Sequence, residues 1–393
     1  MANTVYDVTT WTGATVSAYY DIGAVINQII ADIKANQTTQ TTRPGAVVYI
    51  PPGHYDLRTR AVIDISFLQI KGAGHGFFSN AIRDDAGSQT GSWLETQPGG
   101  SHIRVVNTDG NHEAFLVQRT GTPRLSSIVF QDFCLDGVSS SKPYTGSNGN
   151  AKTGISVQSD NDALRIEGMG FVYLEHAISV NGADALGITN NYIAECGNSI
   201  ELTGASQSVK ISNNYLVSSW GGYSVRAEHA EGINITGNTV LWACNITLEN
   251  STRSTISANK LLSNFPSMIS LKSSSESLIA SNHFRRKYGD GTSTLRDDLY
   301  GLVHIEGSNN AVTGNFFSFD PDAPITPSGA TPTAILVKSG DSNYLATNVL
   351  VRGTLPIQVV LDASTTNTKV IYSARTGQLT AYPPATHDFI ATP

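Results

Sequence analysis

The chain has 393 residues, 40% of them hydrophobic and only 15% charged, with 36 Gly and 15 Pro, enough apolar matter for a sizeable core and too little charge for wholesale disorder. A net charge of -7, from 25 Lys+Arg against 32 Asp+Glu, argues against a nucleic-acid binder, which needs a basic face. No apolar run reaches membrane-spanning length, and the start Met1-Ala2-Asn3-Thr4 lacks the basic and apolar regions of an export signal. Cys134, Cys196 and Cys244 form a sparse, odd set without C-x-x-C spacing, which points to core filler rather than zinc ligands or a disulfide framework. No cofactor or metal is expected.

In chain order, Asp21 to Asn36 predicts one amphipathic helix, with Ile22, Val25, Ile26, Ile29, Ile30 and Ile33 on helical spacing and Asp21 as its cap. Gly45 to Leu57 predicts a strand stopped by Pro51-Pro52, and a second strand is expected around Ile63 to Ile70. Gly72-Ala-Gly-His-Gly76 has no βαβ context and reads as a tight turn rather than a dinucleotide loop. Asn234-Ile-Thr, Asn245-Ile-Thr and Asn250-Ser-Thr match the weak glycosylation pattern.

From about residue 160 a six-residue phrase recurs: apolar, two mostly small or polar residues, Asn, any residue, large apolar. It begins at Ile188, Ile211, Ile235, Ile256, Ile279, Val312 and Leu345, with a degenerate copy at Ile166 that has Met169 in the Asn place. The steps are 22, 23, 24, 21 and 23, then 33 twice, where insertions such as Arg285 to Asp298 fit. Short β-branched runs at this period, without helices, predict an all-β parallel β-helix in which each coil stacks on the next at about 4.8 Å. Asn191, Asn214, Asn238, Asn259, Asn282, Asn315 and Asn348 then form a structural ladder at one corner. The helix covers the open end of the solenoid. The expected organisation is an N-terminal segment 1–44, a β-helix 45–372 and a C-terminal tail 373–393.

Register allows positions to be compared down the stack. Two residues past the phrase stand Tyr173, Glu195, Ser218, Trp242, Ser263, Arg286, Phe319 and Arg352, so Glu195 is the only carboxylate of that column. Four residues before the phrase, the column begins Asp162, Asp184, Gln207, Glu231. Like carboxylates stacked at strand spacing repel, which suits general acid work better than stability. Asp184 and Glu195 thus stand out as two carboxylates of one coil. Glycosyl transfer uses such a pair, one acid to protonate the leaving oxygen and one carboxylate to stabilise the anomeric carbon or activate the acceptor. Eleven residues is also half a coil, which would set the two on different sides of a turn. The groups Glu175-His176, Glu201, Arg226 to His229 with Glu231, and Asp297 to Glu306 suit a carbohydrate groove and equally suit a hydrogen-bonded surface.

Two β-helix chemistries are disfavoured. Gly74-His-Gly76 precedes Asn107-Thr-Asp109 and no R-I-K follows, the wrong order for a polygalacturonase. A pectate lyase would want a calcium cluster and a basic residue in convincing arrangement.

Longer segments carry a family likeness. Val5 to Trp11, Asp21 to Asn27, Gly74 to Ser79, Asp132 to Gly137, Gly168-Met-Gly-Phe-Val-Tyr-Leu-Glu-His-Ala177, Gly182 to Leu186, Ile193-Ala-Glu-Cys-Gly-Asn198, Asp297 to Gly301 and Val360 to Thr366 closely resemble inulin fructotransferases, over residues 5 to 390. The resemblance implies a secreted bacterial enzyme, a right-handed parallel β-helix and a homotrimer with active sites between subunits. It implies action at the fructose end of inulin, a β-2,1-linked fructan, releasing a cyclic difructose dianhydride without consuming water. By their motifs the family's catalytic carboxylates fall on Asp184 and Glu195. Tyr173, His176, Glu201, Arg226 and His229 are expected substrate contacts. Members form the dianhydride DFA III or DFA I, and a close relative hydrolyses DFA III. Trp220 to Arg226 and Leu241 to Cys244, where the family varies, are expected to bear on specificity. The alternatives are a difructose dianhydride hydrolase of the same family and, behind it, a non-catalytic glycan-binding β-helix.

Overall fold

The computed structural model describes residues 4–37, 45–76, 99–119, 124–138, 150–158, 161–218, 222–242, 245–264, 266–287, 297–373 and 388–392. Trp220, Cys244 and most of the Arg285 to Asp298 insertion lie outside them. The chain forms two compact units, Met1–Glu201 and Leu202–Pro393.

In the first unit every described strand pair is parallel, as a β-helix requires. The first face stacks Leu68–Lys71, Val129–Gln131, Arg165–Glu167 and Gly187–Thr189, the second Gly53–Leu57, Ser101–Val105, Cys134–Asp136, Gly170–Val172 and Tyr192–Cys196. The third stacks Ala61–Ile63, Glu113–Val117, Thr153–Val157 and His176–Asn181. A short ladder of Leu125–Ser126, Asn161–Asp162 and Ala183–Asp184 leads from the third face back to the first. Ile166 pairs with Ile188 and Phe171 with Ile193, so the opening and closing apolar residues of the phrase stack on themselves inside the coil. The stretch expected as one strand near Ile63 to Ile70 is two, Ala61–Ile63 and Leu68–Lys71, because the coil turns a corner there, with Phe67 at a φ of 60°.

The expected helix is Ile22–Asn36. All six predicted apolar residues are buried, and the Asp21 carboxylate accepts from Ala24 N at 3.2 Å, an N-cap. Asp21 also accepts from Thr59 Oγ1 at 2.7 Å, tying the helix start to the first coil. Asn27 closes the strand edge that the sheet leaves unpaired: its Oδ1 accepts from Val62 N and its Nδ2 donates to Arg60 O, both at 2.8 Å. Gly23 allows this approach, since a Cβ there would stand 1.7 Å from Thr59 O.

The second unit repeats the three-faced coil, and its asparagine ladder is continuous. Each Nδ2 donates to the Oδ1 of the next Asn, from Asn214 through Asn238, Asn259, Asn282 and Asn315 to Asn348, at 2.9–3.0 Å. In the first unit, Asn191 Oδ1 accepts from the backbone of Met169 at 3.0 Å, so the degenerate copy needs no asparagine of its own to meet its neighbour. The C-terminal strand Asp388–Thr392 pairs in parallel with Lys369–Ser373.

Candidate active site

Glu195 stands at the corner between the second and third faces. Ala194 pairs with Val172, so Glu195 lies one rung from Tyr173, and both are left-handed, with φ of 54° and 55°. This conformation is uncommon for non-glycine residues, and it turns the chain sharply out of the strand. The turn closes with Gly197 N donating to Leu174 O at 2.9 Å and Asn198 N to Glu175 O at 2.7 Å. A Cβ on Gly197 would come within 2.7 Å of Glu175 O, so the residue after Cys196 must be small. Cys196 is fully buried and its thiol is pushed up to about 12 by that burial, which leaves it unreactive.

Asp184 stands at the corner between the third and first faces, on the rung beside Asp162. The third face, His176–Asn181 in this coil, separates the two corners. Six extended residues at about 3.3 Å each set Asp184 and Glu195 roughly 20 Å apart within one chain. Two carboxylates serving one glycosidic bond stand roughly 5–10 Å apart. The pair that sequence isolates is therefore half-exposed, at opposite ends of one face, and not together in a single copy.

A part-buried network shares the Glu195 corner. Glu201, 7% exposed, accepts from His176 Nδ1 in a short contact and from Asn198 Nδ2 at 3.0 Å. Glu175 Oε1 lies 3.8 Å from His176 Nε2, and its Oε2 accepts from Ala151 N at 2.7 Å. The hydrogen bond to Glu201 outweighs burial and raises the His176 pKa above the ordinary histidine value. Tyr173 departs from the expectation of a substrate contact: it is 1% exposed and packs with Cys134 and Val172, supporting the corner from inside. Nothing in the sequence marks Asn198 beyond its place at the end of the Ile193 to Asn198 segment. Its role depends on a partner 22 residues back, which only the coil register brings near.

In the second unit, the Arg226 guanidinium lies over the Tyr223 ring at 5.1 Å and pairs with Glu228 and, at 3.5 Å, with Glu249. His229 is exposed at a corner, with a φ of 54°. Asp298 and His304, of the acidic stretch Asp297 to Glu306, are structural: Asp298, 1% exposed, takes Arg286 Nε at 2.9 Å and Thr326 N at 3.0 Å. His304, 2% exposed, bonds Glu306 at 2.7 Å and stacks on Tyr300. His75 of the Gly-rich stretch sits in the predicted tight turn, where Gly76 has a φ of 49° and a Cβ would stand 1.6 Å from Gly99 O. Among the described residues no group of three or more His, Cys, Asp or Glu could hold a metal ion, and no helix is long and apolar enough to cross a membrane.

A protein from Arthrobacter globiformis, inulin fructotransferase [DFA-I-forming], is 71% identical over 388 residues, covering 97% of this chain and 98% of that one. The chain belongs to the inulin fructotransferase family. A sequence model of the β-helix repeat of inulin fructotransferase matches residues 281–393, and one of the periplasmic copper-binding protein NosD matches 132–294. Among solved structures, DFA-IIIase from Arthrobacter chlorophenolicus A6 without its lid superposes with a TM-score of 0.89 at 39% identity, covering 100% of both chains. The same enzyme in complex with DFA-III gives 0.87 at 37% identity, covering 99% of both. These matches establish the β-helix and the enzyme family that the residues pointed to.

Proposed function

We propose that this inulin fructotransferase takes inulin at its fructose end and releases DFA I by intramolecular fructosyl transfer, with the active site formed between subunits of a secreted homotrimer. The observation that carries the product assignment is the 71% identity to a DFA-I-forming relative, against 36–39% to the DFA-IIIase structures. In this reading Glu195 donates its proton to the departing glycosidic oxygen as the bond to the anomeric carbon breaks. Asp184 stabilises the fructosyl cation and receives the proton of the terminal fructose hydroxyl that attacks in place of water. The shortened chain leaves with the proton from Glu195, the dianhydride carries the new C–O bond, and no water is consumed.

The roughly 20 Å between Asp184 and Glu195 supports a site shared by two copies: the third-face end of one subunit meeting the corner of its neighbour supplies one carboxylate from each. Enclosure between subunits also excludes water, which would otherwise compete as nucleophile and turn cyclisation into hydrolysis. His176, at the Glu195 corner, is assigned to contact the substrate. Arg226 and exposed His229 are assigned to contacts with the fructan chain.

Incubation with inulin, and separately with difructose dianhydrides, followed by chromatography and NMR, tests the reading. DFA I from inulin is the expected product. DFA III would correct the isomer; opening of a dianhydride with label taken up from isotopic water, and no cyclic product from inulin, would make the protein a hydrolase. Binding of inulin without conversion would leave a glycan-binding β-helix.

A further inference from the structure

The network at the Glu195 corner holds the His176 ring through Nδ1. Glu201 uses one oxygen for His176 Nδ1 and the other for Asn198 Nδ2. Asn198 Nδ2 also lies 3.4 Å from His176 Nδ1, but both are donors there, and the amide hydrogen goes to Glu201. A carboxylate accepts only, so Nδ1 carries a proton and the ring orientation is fixed. On the other side of the ring, His176 Nε2 lies 3.8 Å from Glu175 Oε1, beyond hydrogen-bond reach. The His176 side chain is 33% exposed, while that of Glu201 is 9% exposed.

We propose that Glu201 is the positioning residue of this site: it fixes the His176 ring through Nδ1, so that the protonated ring presents Nε2–H to a fructosyl hydroxyl held beside Glu195. Glu201 itself is too enclosed to meet the sugar and acts through His176. A neutral His176 with its proton on Nδ1 would present an acceptor instead, and would lose the charge that draws electron density from the bound oxygen.

Among the described residues, few groups face His176. From Asn198–Thr203 come Glu201 and Asn198; Glu175 precedes it in sequence; and Thr153 is its register partner on Thr153–Val157. Lys152, whose backbone carbonyl accepts from His176 N at 3.1 Å, turns its own Nζ away to Gly137 O at 2.7 Å. Two carboxylates thus face the imidazole, and the Lys152 ammonium is engaged elsewhere. The raised pKa of His176 agrees with that surround.

This assignment rests on the fructan-active reading only for the identity of the sugar, and its test separates the two. Diethyl pyrocarbonate modifies neutral imidazole nitrogen, so the rate at which His176 is carbethoxylated, followed by peptide mass spectrometry across pH, reports both its protonation and the access to Nε2. In the intact wild-type protein the midpoint is expected above the free-histidine value of about 6.5. In Glu201→Gln, which keeps the shape without the charge, it falls toward that value. A short fructo-oligosaccharide is expected to protect His176, and the alkaline limb of kcat/KM is expected to move down in step in the variant.

A wild-type midpoint at or below about 6.5, or one unchanged in Glu201→Gln, overturns the positioning role. Full reactivity of His176 under saturating oligosaccharide overturns the donor role. Should Glu201→Gln fail to fold, the wild-type midpoint and the protection experiment still decide. If inulin is not converted at all, the functional reading fails while the coupling of Glu201 to His176 is still read by the modification rate.

Discussion

Asp184 and Glu195 close opposite ends of the same six-residue face, one at the corner after His176–Asn181 and the other one rung from Tyr173 at the corner before the next coil. Proximity in sequence therefore works against proximity in space. If each active site takes Asp184 from one subunit and Glu195 from its neighbour, Asp184→Asn and Glu195→Gln trimers each lose turnover by orders of magnitude while staying folded. Refolding the two variants together in equal amounts then restores about one quarter of wild-type activity, since each site has one chance in four of drawing both intact residues. Failure to recover any activity in verified mixed trimers would place both carboxylates in one subunit's site.

Asn259 is bonded on both sides of the ladder. Its Nδ2 donates to Ile235 O and to Asn282 Oδ1, and its Oδ1 accepts from Asn238 N and Nδ2, all at 2.9–3.0 Å. Asn259→Ala leaves several buried groups unsatisfied and is expected to cost about 3 kcal/mol or more, seen as a lowered Tm. Asn→Ala at the exposed Asn36, where the amide bonds only within its own helix turn, is the control and should change little.

Arg286 and Asp298 form a buried ion pair, with side chains 7% and 1% exposed. Asp298→Ala strands the guanidinium and is expected to cost about 3–5 kcal/mol, whereas Arg286→Met with Asp298→Leu removes both charges and should recover part of the loss. Chemical denaturation of the two variants and the wild type makes the comparison. A double variant no better than the single would show that the bonds to Thr326 and Pro324 dominate.

His176 gives the fold a pH dependence of known sign. Its pKa is raised in the folded protein, chiefly by the hydrogen bond to Glu201. Its stabilising contribution is complete below the free-histidine value of about 6.5 and is lost as pH rises through the raised value. The difference in Tm between wild type and His176→Gln should accordingly be largest in mild acid and shrink on the alkaline side. A difference that grows with pH would contradict the assignment.

Much of the molecule follows from one-dimensional pattern. The period of the Ile–x–x–Asn–x–apolar phrase sets the coil, because an apolar residue recurring once per turn must stack on its own copy: Ile235 pairs with Ile256, and Ile256 with Ile279. The asparagines must then bond one another, and the Asp21 to Asn36 helix is forced onto the open end by its apolar face. The same register isolates Glu195 as the only carboxylate of its column and sets Asp184 in the same coil, and the family likeness points to the same pair. What sequence leaves undecided is whatever depends on distance across the coil. Period alone does not say that Asp184 and Glu195 lie at opposite ends of one face, that Tyr173 turns inward, or that Asn198 and Glu201 lock His176. Those facts depend on where the chain turns its corners, through left-handed residues such as Tyr173 and Glu195 and the close approach at Gly197. Corner geometry is set by contacts between neighbouring coils, about 22 residues apart in the chain, and so belongs to the tertiary structure.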